Sequence, residues 1–216
     1  RRYSWHEQQV WDLIEDVELL ENSDSHLLGM IVCLAAHHTA GLNKLELVDG
    51  QQRLTTISII LECIREKFEE LDEEEDAKGL SRLLMARPHG SKPERKVLLE
   101  SMDAEEYARL VKNDQSDDDF KNEALWYAFD IVRDWIKDQS TEKLQTFSYR
   151  LRNQATVIRL DVVEAKDAFK LFETINNRGL RLSPTDIIKN FLLGNAARFG
   201  DQALQTARKS WSQILR

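Results

Sequence analysis

"LELVDGQQRLTTISIILECIREKF", residues 45–68, decides how this chain is read. Apolar residues alternate as far as Val48, the period of a half-buried strand. Asp49-Gly50-Gln51-Gln52-Arg53 interrupts the alternation. From Arg53 onward the period is helical, with Leu54, Ile57, Leu61, Ile64 and Phe68 on one face and Ile60 widening it. A strand that turns through a glycine straight into a helix is a place where anions bind. The first helical turn leaves main-chain N–H groups without helical partners, and the positive end of the helix dipole lies there. Gly50 lets the backbone approach a ligand closely. Arg53 can pair two phosphate oxygens at once, and Thr55 and Thr56 add hydroxyls one turn in. Asp49 repels phosphate unless it caps N–H groups, pairs with Arg53 or holds a metal ion. The same residues also make ordinary turn and N-cap chemistry, and spacing alone leaves both readings open. No GxxxxGK[ST] pattern occurs, which excludes a P-loop nucleotide hydrolase.

Upstream, residues 7–21 carry Val10, Leu13, Ile14, Val17 and Leu20 at helical spacing. Residues 26–35, apolar with a β-branched middle, read as a strand, and 44–48 as its antiparallel partner across a turn. Downstream, the acidic run 69–76 reads as a solvated helix end or a linker. Residues 86–96 hold two of the three prolines and read as an exposed loop. Three helical pieces follow over 103–113, 119–138 and 141–153. In the second, Phe120, Leu125, Phe129, Val132 and Ile136 share a face, with Trp126 and Trp135 at its edges. Residues 155–164 read as a strand, 165–176 as a helix, 177–183 as a loop, 184–199 as a helix, and a last helix runs to the end. The order is that of an α+β chain with a small sheet and a large helical share. Three regions are expected: 1–70 with the turn motif, 71–153 as acidic linker, loop and helical insertion, and 154–216 packing back on the first as one compact unit.

The chain has 216 residues and a net charge of -8, enough length for a core and too acidic for a generic binder of DNA phosphates. Cys33 and Cys63 each sit in an apolar run and read as buried free thiols in a reducing cytoplasm. No apolar run approaches the roughly 20 residues needed to cross a bilayer. The start, "RRYSWHEQQV", has no signal-peptide character and no methionine, so further residues are expected upstream. His6, His26, His37, His38 and His89 show no zinc-ligand spacing.

Three segments together carry a resemblance. "LVDGQQRLTTISIILECIR" resembles the signature of the GmrSD-type restriction endonuclease N-terminal domain family, within the ParB/sulfiredoxin superfamily. "RRYSW" resembles the end of that family's first motif, matching at Arg1, Tyr3 and Trp5. "FETINNRGLRLSPTDIIKNFLL", 172–193, resembles its distal motif, and "HLLGMIVC" its Leu-Gly strand. The resemblance implies a small ParB/sulfiredoxin-like mixed sheet with flanking helices and a mostly helical second half. It implies that Asp49, Gly50, Gln51, Gln52 and Arg53 form a phosphate-binding turn, with Arg1 close by and Asn176, Arg178 and Gly179 in a second loop facing the same cleft. It implies a bacterial defence protein that handles nucleoside triphosphates, acting on DNA through a separate HNH nuclease domain or partner subunit; the chain holds no such His-rich module up to Arg216.

The distal motif also has its own local logic. Ser183 suits an N-cap, Pro184 the first helical position and Asp186 a capping partner, while Asp186, Lys189 and Asn190 share a polar face. The expectation carried forward is a nucleotide-binding, NTP-hydrolysing domain of a modification-dependent restriction or anti-phage system. It would use an NTP with Mg2+, Asp49 as the carboxylate that positions water or holds the ion, Glu46 as the next candidate, and Arg53 on the phosphates. Two rivals are a module that senses modified DNA without turnover and a domain that itself nicks DNA. No membrane partner is expected, and an oligomer is compatible with the sequence.

Overall fold

A computed structural model describes residues 2–21, 24–34, 44–87, 92–99, 101–112, 120–164, 166–167, 184–197 and 199–214. Among these, eight helices and five strands are present. They are α1 (Glu7–Glu18), β1 (His26–Leu34), β2 (Glu46–Asp49), α2 (Gln51–Glu70), α3 (Glu74–Leu84), β3 (Met85–Ala86), β4 (Glu94–Arg95), α4 (Ser101–Val111), α5 (Glu123–Lys137), α6 (Thr141–Asn153), β5 (Ala155–Val162), α7 (Pro184–Ala197) and α8 (Asp201–Ile214). The fold is α+β, as the element order in the sequence implies. The helix expected over 165–176 and the loop after it lie outside the described residues, apart from Lys166 and Asp167.

The chain divides into two compact units, Arg1–Gly29 with Gln51–Val157 and Met30–Gly50 with Ile158–Arg216. Within the first of these units, α2 packs on α3 and α5.

In the first unit, α2 is buried along most of its length, from Thr55 to Phe68. Ile59, Ile60, Ile64 and Phe68 meet Val10, Ile14 and Val17 of α1, Leu80 of α3, Tyr107 of α4, Leu125, Phe129 and Val132 of α5, and Leu144 and Phe147 of α6 in one apolar cluster. The acidic run is not a linker. Glu70 ends α2, Asp72 takes the left-handed conformation at φ 59°, Glu73 N–H donates to Phe68 O at 2.8 Å, and Asp72 N–H to Glu69 O at 3.3 Å. This pair of bonds is a Schellman closure made without glycine. Glu74, Glu75 and Asp76 then fall in the first turn of α3, where the helix dipole favours them. Helix α3 is missed from sequence because only Ala77, Leu80 and Leu84 face inward.

A short antiparallel pair, Met85 with Arg95 and Ala86 with Glu94, closes the region expected as a loop at 86–96. It brings Arg95 onto Glu62, a fully buried carboxylate on α2 that also accepts from Arg65 Nε at 3.0 Å. A buried carboxylate is tolerated only when so paired.

The three longer strands form one sheet in the order β2-β1-β5. β1 and β2 are antiparallel, with Val32 opposite Asp49 and Cys33 opposite Leu47. Val48 is therefore an extra residue, a bulge just before the motif. In the second unit Val48 packs against Leu193 of α7 and Leu204 of α8, with Ala197 and Ala207 beside them. Cys33 and Cys63 are free and buried. Burial pushes the Cys63 thiol up to about 12, which leaves it protonated and inert. Among the described residues no helix is long and apolar enough to cross a membrane.

The buried pair gives a stability test. Arg95→Ala should cost about 2 kcal/mol in urea unfolding, short of a full uncompensated charge because Arg65 remains. Adding Glu62→Gln should recover most of that loss. A double variant as unstable as the sum of the two single ones would contradict the pairing.

Candidate functional site: the turn entering helix α2

Asp49 closes β2, Gly50 makes the turn, and Gln51 is already helical, two residues earlier than the apolar period suggests. The boundary between the two units falls at Gly50, within the motif. Gly50 has φ +86°, and a Cβ there would lie 2.5 Å from Ile31 Cγ2. Conformation and space both require glycine. The first turn of α2 carries no acidic side chain, so no carboxylate of its own neutralises the positive end of the helix.

Arg53 lies in this first turn, and its guanidinium covers Gly29 of β1. A Cβ on Gly29, itself at φ +110°, would stand 3.0 Å from Arg53 Nη2. Gly29 is the glycine of the Leu-Gly strand, so its role becomes visible as room for an arginine.

Gln52 faces elsewhere. Its Oε1 accepts from Ser4 N–H at 2.7 Å, and its Nε2 donates to the Arg2 carbonyl at 3.0 Å. Thr56, one turn on and fully buried, donates from Oγ1 to Gln52 O at 3.0 Å and lies 2.7 Å from Tyr3 OH. A threonine has one hydroxyl proton, so the Tyr3 phenol is the donor of the second bond. Burial drives the Tyr3 phenol far above its usual range, with the Thr56 bond opposing only in part, which keeps that proton in place. Asp103 accepts Tyr3 N–H at 2.7 Å and Arg2 Nε at 2.9 Å, and Asn122 Nδ2 donates to Tyr3 O at 3.1 Å. Thr55 is also buried. The hydroxyls of Thr55 and Thr56 and the Gln52 side chain thus face protein, while Arg53 lies over the strand at the end of the helix.

Glu46 is exposed on β2 and forms an ion pair with Arg208 of α8 at 2.8 Å. Arg1, and Asn176, Arg178 and Gly179 of the expected second loop, lie outside the described residues. Among the described residues no group of three or more His, Cys, Asp or Glu is placed to hold a metal ion. Mg2+ needs less from a protein, since it takes most ligands from phosphate and water. Asp49, next to the turn, fits that requirement with one carboxylate. Sequence reasoning missed Asp103 and Asn122. Asn122 left a faint signal as the N-cap of α5, accepting from Leu125 N–H; Asp103 left none.

The family model described as GmrSD restriction endonuclease, N-terminal domain, matches residues 1–193, and the chain belongs to that family. No curated protein matches it.

The steric demand at the turn can be checked by rescue. Gly50→Ala should lower stability by about 2 kcal/mol, from the left-handed backbone and the clash together. Ile31→Ala in the same chain should make the Gly50→Ala change less costly by removing the Cγ2 contact. An unchanged cost in the Ile31→Ala background would show that the clash is not the cause.

Proposed function

With membership of that family as the premise, we propose that the chain binds a nucleoside triphosphate at the start of α2 and hydrolyses it with Mg2+. It would do so within a bacterial modification-dependent restriction or anti-phage defence protein. The observation that carries the reading is a helix start without acidic side chains, entered through a glycine whose backbone and close packing on Ile31 strain any side chain, with Arg53 in its first turn. The N–H groups of the first turn receive phosphate oxygens, and Gly50 lets the ligand approach the main chain. Arg53 adds a planar double donor to the same oxygens and stabilises charge that develops on them.

Asp49 is the group for water or metal. It sits one residue before the turn, whereas Glu46 is engaged by Arg208. Mg2+, when bound, neutralises phosphate charge; Asp49 holds it or orients the attacking water. Gln51 completes the turn through its main chain. Gln52, Thr55 and Thr56 support the site from inside the fold. DNA is reached indirectly, through a nuclease domain or partner subunit.

Arg53→Ala should weaken triphosphate binding by about 3 kcal/mol, roughly a hundredfold, with the melting curve unchanged. Asp49→Asn should keep binding and lose multiple-turnover phosphate release. Full binding in a folded Arg53→Ala protein would refute the site. Binding without turnover in the parent chain would favour the non-hydrolysing sensor, and nicking of supercoiled plasmid by this chain alone would favour the nuclease.

A further inference from the structure

The Gln52 carboxamide bonds to main chain on both sides of Tyr3, at Arg2 O and Ser4 N–H. The main-chain groups of Tyr3 itself are taken by two other residues, its N–H by Asp103 and its carbonyl by Asn122. The Tyr3 side chain is buried against Thr56, one helical turn after Gln52. Residues 2–4 are thus held by side chains from α2, α4 and the N-cap of α5. Two of the holding residues, Gln52 and Thr56, occupy the first two turns of α2. That is where a helix frays unless something ties it.

We propose that Gln52 is a positioning residue: its carboxamide clamps Arg2 and Ser4 to the first turn of α2 and so fixes that turn's N–H groups and Arg53 for phosphate. The inference rests on the phosphate-site reading for its ligand and on hydrogen bonds alone for the clamp. It divides the motif. Gly50 and Arg53 serve the ligand directly, and Gln52 acts through the N-terminal segment. Asp103 holds the same segment through Arg2 Nε and Tyr3 N–H, without belonging to the turn.

This gives a test with two independent arms. The first is hydrogen exchange at the Ser4 amide in the ligand-free chain, which should speed up about tenfold or more in Gln52→Ala. The second is affinity for inorganic triphosphate by calorimetry, which should fall roughly fivefold to tenfold in Gln52→Ala and in Asp103→Asn alike. The double variant should be little worse than either single one, because both release one segment. A direct ligand contact predicts the opposite: additive losses and an unchanged Ser4 amide. Unchanged Ser4 exchange in Gln52→Ala overturns the clamp. Full affinity in Gln52→Ala, with Ser4 exposed and Arg53→Ala still impaired, overturns the positioning role while the phosphate site stands. A parent chain that binds no triphosphate overturns the phosphate site and the positioning role together, and the exchange arm alone then decides the clamp.

Discussion

A helix buried on most of its circumference must find partners for every polar side chain it carries inward, and α2 meets that constraint at three levels. Thr56 meets Tyr3 of the N-terminal segment, Ser58 meets Tyr107 of α4 at 2.7 Å, and Glu62 meets Arg95 of β4. Each contact costs stability if broken, since the abandoned group stays buried. Apolar packing could slide or rotate at modest cost, whereas these three pairings allow one register. They place the start of α2 with respect to the first unit's core.

That placement explains why one short motif mixes residues of unlike duty. Gly50 is required by backbone conformation and by Ile31 behind it. Gln52 is turned toward main chain fifty residues away in sequence. Arg53 is accommodated by a glycine on a strand. Turn chemistry pointed Gly50 and Arg53 at a ligand, and the family resemblance added Gln52. Only the neighbours each one meets show that Gln52 secures the scaffold.

Much of the fold was legible because its elements are long and periodic. α1, β1, α5, α6 and β5 follow apolar patterns that local physics reads directly. α3 was hidden by its charge: eight residues that look solvated contain a helix end, a left-handed aspartate and a helix start. The β3–β4 pair is two residues long on each side, below what alternation can register. In the site, Asp49 to Arg53 stood out through turn and dipole chemistry, and family motifs sharpened that. The roles of Gln52, Thr56 and Asp103 depend on chain segments brought together from about fifty and a hundred residues away, and no local pattern encodes such a meeting.

The central claim is that the main chain at the start of α2 receives phosphate. Titrating an isotopically labelled chain with a non-hydrolysable nucleoside triphosphate, and following backbone amides by NMR, tests it most directly. The account predicts that the largest saturable shifts fall on the amides of Gly50, Gln51, Gln52 and Arg53, with the Arg53 side-chain Nε–H moving alongside. Saturable shifts confined to other parts of the chain, with these amides unmoved, would contradict it.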